Sequence, residues 1–306
     1  MKKKGILSLL GALFLYGATQ ACAICGCGAG NYYLGIMPQY SKNFVGVRYR
    51  TYSFTSHIGE GYNPYEATHE TFRSTEIWMR FYVTPRLQII SLVNYNFNSQ
   101  LDHGVTKDLQ GLGDIPILAN YNLINTNNRP HSDERVLNHN LFAGGGVKLP
   151  VGKYQFQDDP TEVANANFQL GTGSVDFLLT TLYTLRYKRL GLSVDATYKM
   201  NTKNSNDYRF GNRINGTTSV FYVQQIKSLG LMPNAGVYFE DSGKNQEYGL
   251  PIDITGGRAY FASAGVETYY KKLSVGFNYQ SPFSQFLADG HSKAHDKMMV
   301  HVTFLF

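Results

Sequence analysis

The feature that most constrains this chain is a two-residue period. From about residue 43 onward it reads as segments of roughly ten residues in which apolar and polar side chains alternate, with turn-forming clusters between them and no sustained 3.6-residue period. In the last segment Met298, Val300, Val302, Phe304 and Phe306 share one face, and Met299, His301, Thr303 and Leu305 the other. Leu190, Leu192, Val194, Ala196 and Tyr198 alternate with Gly191, Ser193, Asp195, Thr197 and Lys199. Leu273, Val275, Phe277 and Tyr279 alternate with Ser274, Gly276, Asn278 and Gln280. Further segments centre near Val47, Met79, Ile89, Ala119, Gly145, Leu179, Val220, Val237 and Ala264. The pattern predicts an all-β fold of twelve strands, an even number.

The connections decide what kind of all-β fold. Short turns fall at Thr84-Pro85, Tyr187-Lys188-Arg189, Ser228-Leu229 and Lys271-Lys272. Long polar loops are expected near 56–69, 98–108, 152–168, 203–209, 241–256 and 282–295. Short turns on one side and long loops on the other characterise a closed antiparallel barrel of the outer-membrane type, with the short side periplasmic. One connection, 125–138, is long on the side that should be short. A soluble sandwich would also alternate, but it would bury its apolar face and expose a charged one. Here charged residues are only 16%, while 23 Tyr and 19 Phe gather on apolar faces near strand ends. The polar faces carry small residues, Asn and scattered charges, which suits lipid outside and a polar lumen. Closure follows from the solvent, because in lipid every backbone polar group must be paired within the protein.

The N-terminus reads as an export signal. Lys2, Lys3 and Lys4 precede an apolar run from Ile6 to Ala18, followed by small residues around Ala21 and Ala23. At 13 residues that run is shorter than the ~20 a membrane-spanning helix needs. Residues 1–21 are therefore expected to be a signal peptide, 22–42 an N-terminal extension and 43–306 the barrel. Loss of the three lysines leaves 25 basic against 22 acidic residues, which argues against a nucleic-acid partner. The extension holds all three cysteines, Cys22, Cys25 and Cys27, among glycines. Thiolates so spaced can converge on one soft ion, Cu(I) or Zn(II). A disulfide with one leftover thiol, or a lipid anchor on Cys22, are the alternatives. The segment is long enough to fold back as a plug into the periplasmic mouth.

On this alternation the lumen holds Arg48, Arg50, Glu76, Arg80, Lys148, Asp176, Asp195, Lys199, Glu267 and His301, with opposite charges expected to pair across the wall. His57, His69, His103, His291 and His295 are expected in outer loops, where His291 and His295 with Asp289 and Asp296 form the one close cluster. No nucleophile can be paired with the inward-facing His301 from sequence, so an outer-membrane enzyme is the poorer reading. Gly152-Lys153 is no phosphate loop, because Val147 and Tyr154 stand where Gly and Ser or Thr are required.

Three motifs carry a family resemblance. Gly111-Leu-Gly-Asp-Ile-Pro-Ile-Leu-Ala-Asn-Tyr121, Gly145-Gly-Val-Lys-Leu-Pro-Val-Gly152 and Gln169-Leu-Gly-Thr-Gly-Ser-Val-Asp176 resemble, in order, strand motifs of the MetA-pathway phenol-degradation outer-membrane family. The resemblance implies an outer-membrane barrel passing small, often hydrophobic, compounds, and it assigns no functional residue. The free terminal Phe306, closing an alternating strand, resembles the recognition signal read by the outer-membrane assembly machinery. The partners expected are thus outer-membrane lipid, that machinery and a small solute.

Overall fold

Strand alternation closes on itself in the computed structural model, which describes residues 42–58, 67–102, 104–126, 137–154 and 168–306. The signal segment and Cys22, Cys25 and Cys27 lie outside these residues. Twelve antiparallel barrel strands follow one another: β1 (Phe44–Ser56), β2 (Thr68–Thr84), β3 (Leu87–Asp102), β4 (Val105–Leu112, resuming as Ile115–Asn125), β5 (Leu137–Leu149), β6 (Asp176–Tyr187), β7 (Leu190–Met200), β8 (Arg213–Tyr222, continuing as Gln224–Ile226), β9 (Leu229–Ser242), β10 (Gly257–Tyr270), β11 (Leu273–Leu287) and β12 (Ser292–Leu305). Each pairs with its sequence neighbours, and β12 returns to β1 from Phe44↔Leu305 to Ser56↔Ser292. No barrel edge is left unpaired, which removes the liability of open strands. The expected twelve-stranded closed barrel is the fold observed.

The outward face is apolar. Val47, Leu179 and Val302 are each about half exposed, and exposed aromatics mark both ends of the wall. Tyr121, Tyr187, Tyr222, Tyr270 and Phe304 lie toward the short turns, and Phe177, Tyr198, Tyr260 and Phe283 toward the long loops. An apolar band between two aromatic girdles is the surface a lipid bilayer solvates. No helix among the described residues is long and apolar enough to cross a membrane, so any crossing is made by the strands.

Two expectations are corrected. The segments 98–108 and 282–295 are not long loops, because β3 runs to Asp102 and β4 starts at Val105, while β11 runs to Leu287 and β12 starts at Ser292. The β3–β4 connection passes through Gly104 at φ 78°, and Ala288, Asp289 and Gly290 at φ 48°, 52° and 89° make the β11–β12 turn. Asn98, Gln100 and Asp102 on the inner side of β3, and Gln285 on that of β11, are the polar residues that resemble a loop in sequence. The interior also differs from a simply polar lumen. Along β1 the inward residues run Phe44, Arg48, Arg50, Tyr52 and Phe54, so a charged belt lies between two apolar layers. Phe44, Trp78, Ile90 and Leu305 form the layer toward the short turns, and Tyr52, Phe54, Phe72, Phe168 and Phe261 the layer toward the loops.

The loop end is built up further. Two-residue strands Tyr208–Arg209, Gln246–Glu247 and Leu250–Pro251 form a small separate sheet from the β7–β8 and β9–β10 connections. Tyr208 and Phe210 pack there with Tyr154 and Ile252. The Asn245 amide donates to the Tyr208 hydroxyl at 2.8 Å. Burial pushes the phenols of Tyr154 and Tyr208 above their ordinary pKa, so both stay neutral hydrogen-bonding groups.

Candidate functional site

The charged belt is assembled from residues that face one another across neighbouring strands. Arg48 stands opposite Glu76 on one side and His301 on the other. Its Nε donates to Glu76 Oε2 at 2.6 Å, and Arg50 Nε lies 2.6 Å from Glu76 Oε1. Ser74 Oγ donates to the same Oε1 at 3.1 Å, so one buried carboxylate serves two guanidinium groups and a hydroxyl. Next to it Lys297 Nζ lies 3.1 Å from Glu240 Oε2 and 4.0 Å from the Phe261 ring centroid. Asp195, Lys199 and Arg213 are also buried, with Lys199 opposite Arg213 in the β7–β8 register. In a water-poor interior an ion is best tolerated when paired and hydrogen-bonded, which accounts for Glu76 between Arg48 and Arg50 and for Glu240 beside Lys297. Lys199 and Arg213, by contrast, set two cations opposite each other.

Toward the short turns, His301 Nε2 lies 2.8 Å from Glu267 Oε1 and its Nδ1 lies 3.1 Å from Thr303 Oγ1. A hydroxyl, an imidazole and a carboxylate in series have the outline of a catalytic triad. Yet Thr303 is fully buried, and Trp78 covers the imidazole edge-on at 5.0 Å. A nucleophile needs a substrate within reach, so this group works as a clamp across the wall. At the mouth itself Arg80 donates through Nε and Nη2 to the Lys42 carbonyl at 3.1 and 2.9 Å, with its guanidinium 4.8 Å from the Phe44 ring centroid.

The three sequence motifs meet at one place. Asp114 of the first, Lys148 of the second and Thr172, Ser174 and Asp176 of the third converge around one buried ammonium group. Lys148 Nζ lies 2.6 Å from Asp114 Oδ2 and 2.8 Å from Asp176 Oδ2, and it also contacts Thr172 Oγ1. Asp114 further accepts from the Gly152 and Thr172 backbone amides at 3.1 and 2.9 Å. Ser174 Oγ and the Thr202 amide donate to Asp176 at 2.9 and 3.0 Å. This knot fastens residues 168–175, a connection, against the wall where β4 is interrupted. There three residues of β3, 92–94, face four of β4, 113–116, between Tyr95↔Leu112 and Ser91↔Ile117, a one-residue bulge that turns Asp114 inward. Asp114 was not singled out from sequence. Its signal was the Gly-Asp pair inside an alternating segment, since glycine in a strand often marks a bulge.

The fastened connection helps shape a cavity of about 50 Å³ lined by Arg48, Arg50, Tyr52, Phe72, Asn94, Asn96, Asn98 and Gln169, among others. A second, of about 30 Å³, lies on the other side of Arg50 and Tyr52, against Asn278, Gln280 and Lys297. Volumes of this size hold a few waters. The lining offers a stacked Tyr52–Phe72 pair, 5.2 Å between centroids, beside amides and paired charges.

Two of the remaining histidines meet at one hydroxyl. His69 and His295 lie in strands rather than loops, and both reach Thr55 Oγ1, at 3.2 and 2.8 Å. His291 Nδ1 bonds the Ile58 carbonyl, and Asp296 accepts from Ser281. His103 lies outside the described residues. Among the described residues no group of three or more metal-ligating side chains converges.

Comparison with known proteins supports the fold. No family model and no curated protein matches the sequence. Among solved structures, the COG4313 outer membrane channel from Pseudomonas putida F1 superposes with a TM-score of 0.62 at 14% identity, over 89% of this chain and 100% of that one. The beta domain of the Bordetella autotransporter BrkA gives 0.47 at 12% identity, over 86% and 99%. At 14% identity the likeness to the COG4313 channel is one of architecture.

Proposed function

We propose that this barrel spans a Gram-negative outer membrane, with its short turns in the periplasm, and lets a small amphiphilic compound pass passively through the lumen. In this reading residues 22–42 act as a plug. The chain is a conduit and not an enzyme. The lumen-facing charges, Arg48, Arg50, Glu76, Arg80, Lys148, Asp176, Asp195, Lys199, Glu267 and His301, hold the wall together and set the polarity a solute meets. The apolar layers on either side favour a compound with an apolar body, in line with the hydrophobic compounds the family resemblance implies.

The observation that carries the plug is the seat of Lys42. Its carbonyl is held by Arg80, a residue of the lumen face, and the Tyr82 amide donates to Asn43 Oδ1 at 2.8 Å. The chain that precedes β1 therefore starts from the inner side of the mouth. In a liposome-swelling assay with small neutral solutes, a variant lacking residues 22–41 is expected to swell several-fold faster than the mature full-length protein. Equal rates for two properly folded barrels refute the plug. The absence of any swelling from both, with solutes ranging from polar to amphiphilic, refutes the channel reading.

A further inference from the structure

The end opposite the long loops carries a charge pattern that the lumen does not use. Four two-residue turns join strands there: Pro85–Arg86, Lys188–Arg189, Lys227–Ser228 and Lys271–Lys272. They hold six exposed cations and no carboxylate. The fifth connection on that side, within 126–136, balances Arg129 and Arg135 against Asp133 and Glu134 in sequence. At the loop end two exposed lysines have carboxylate partners, Lys203 on Asp207 and Lys244 on Asp253.

The backbone says that these lysines are not generic turn residues. Two-residue hairpin turns place the first central residue at positive φ, where Gly, Asn and Asp sit most easily. Three of the four turns put lysine there, Lys188 at φ 52°, Lys227 at 53° and Lys271 at 53°. The fourth has Pro85, whose ring forbids positive φ, and β2 compensates with a register shift between Tyr82 and Thr84. Lysine thus recurs where the local conformation disfavours it.

The ammonium groups also point in an informative direction. Lys188 Nζ lies 5.5 Å from the Tyr187 ring centroid, Lys271 Nζ 5.4 Å from Tyr270, and Lys272 Nζ 5.8 Å from Phe304. All three rings face outward in the girdle, 51%, 46% and 43% exposed. The cations therefore fold back along the wall to girdle level, where lipid phosphates lie, rather than projecting toward a soluble partner.

We propose that these turns form a basic collar that binds the phosphates of anionic glycerophospholipids in the leaflet on the short-turn side. The proposal rests on the membrane-spanning reading above. The test uses the full mature chain and the variant K188N/K227N/K271N, in which asparagine suits the same backbone and removes three charges. Both are reconstituted into phosphatidylethanolamine vesicles containing a minor fraction of phosphatidylglycerol, extracted gently, and examined by native mass spectrometry for retained lipid.

The unaltered protein is expected to retain phosphatidylglycerol over phosphatidylethanolamine with a preference on the order of tenfold greater than the variant's, falling as salt is raised. The variant is expected to fold at least as well by heat-modifiable gel migration. Inserted protein that retains no more phosphatidylglycerol than the variant overturns the collar. Capture of the unaltered protein by soluble polyglutamate, with no lipid preference, overturns it in favour of an acidic soluble partner. A chain that does not enter vesicles at all overturns the membrane reading itself.

Discussion

Replacing Lys148 by Met is expected to loosen the barrel and open it at once. The substitution keeps the apolar stem and removes the ammonium group, leaving Asp114 and Asp176, each within 2.8 Å of that nitrogen, buried without their shared cation. Breaking a buried ion pair by deleting one partner costs about 3–5 kcal/mol, and here two carboxylates lose it together. The Asp114 and Asp176 side chains also hold the Gly152, Thr172 and Thr202 amides, so repulsion between them pulls residues 168–175 off the wall. That connection carries Phe168, which packs against Phe72 in the apolar layer nearest the loops, 6.2 Å between ring centroids. Thermal unfolding in detergent should shift down by several degrees and solute entry in liposome swelling should rise several-fold. The triple variant K148M/D114N/D176N should recover much of the stability, because neutral amides are far cheaper to bury than unpaired carboxylates. Unchanged unfolding and swelling in Lys148→Met would mean that the knot fastens nothing.

The sequence made the wall legible and the interior only in part. A strand in contact with lipid on one face and the lumen on the other must alternate, so all twelve strand centres, from Val47 to Val302, could be placed by period alone. The ends could not. Asn98, Gln100 and Asp102 make the inner face of the β3 end polar, and Ser281-Pro282 with a register shift interrupts the alternation of β11, so both ends resemble loops although Leu101 and Phe286 still face outward. Alternation also tells which way Arg48, Glu76 and Lys148 face but not what each meets. The pairing of Lys148 with Asp176 is a matter of register between adjacent strands, whereas Asp114 joins them through a bulge that shifts the count by one. Phe168 and Leu170 come from a connection, and no period within a strand announces that a loop will fold back onto the wall. The layering of Phe44 and Phe54 around a charged belt was visible residue by residue. Single aromatics on an otherwise polar face carry little weight in a pattern, so such a face resembles a simply polar lumen.

Gly276→Ala is expected to damage the barrel by parting a buried pair of side chains. Gly276 stands between Glu267 of β10 and His301 of β12 in the strand register. The two side chains meet over its Cα, where a Cβ would lie 2.1 Å from His301 Nε2 and 2.2 Å from Glu267 Oε1. Neither neighbour can yield freely. Glu267 also takes the Ser274 hydroxyl, and His301 is held by Thr303 and lies under Trp78. The methyl group must therefore part the pair, costing the Glu267–His301 hydrogen bond, about 1.5–3 kcal/mol, with the surrounding apolar layer strained as well. The folded fraction after refolding into detergent, read by heat-modifiable migration and by urea titration, should fall sharply. In a background already carrying Glu267→Ala and His301→Ala the same methyl group has room, so its effect should shrink to about that of any glycine-to-alanine change in a strand. Such non-additivity is the signature of direct contact. A Gly276→Ala penalty of the same size in both backgrounds would show that the clamp is not what this glycine accommodates.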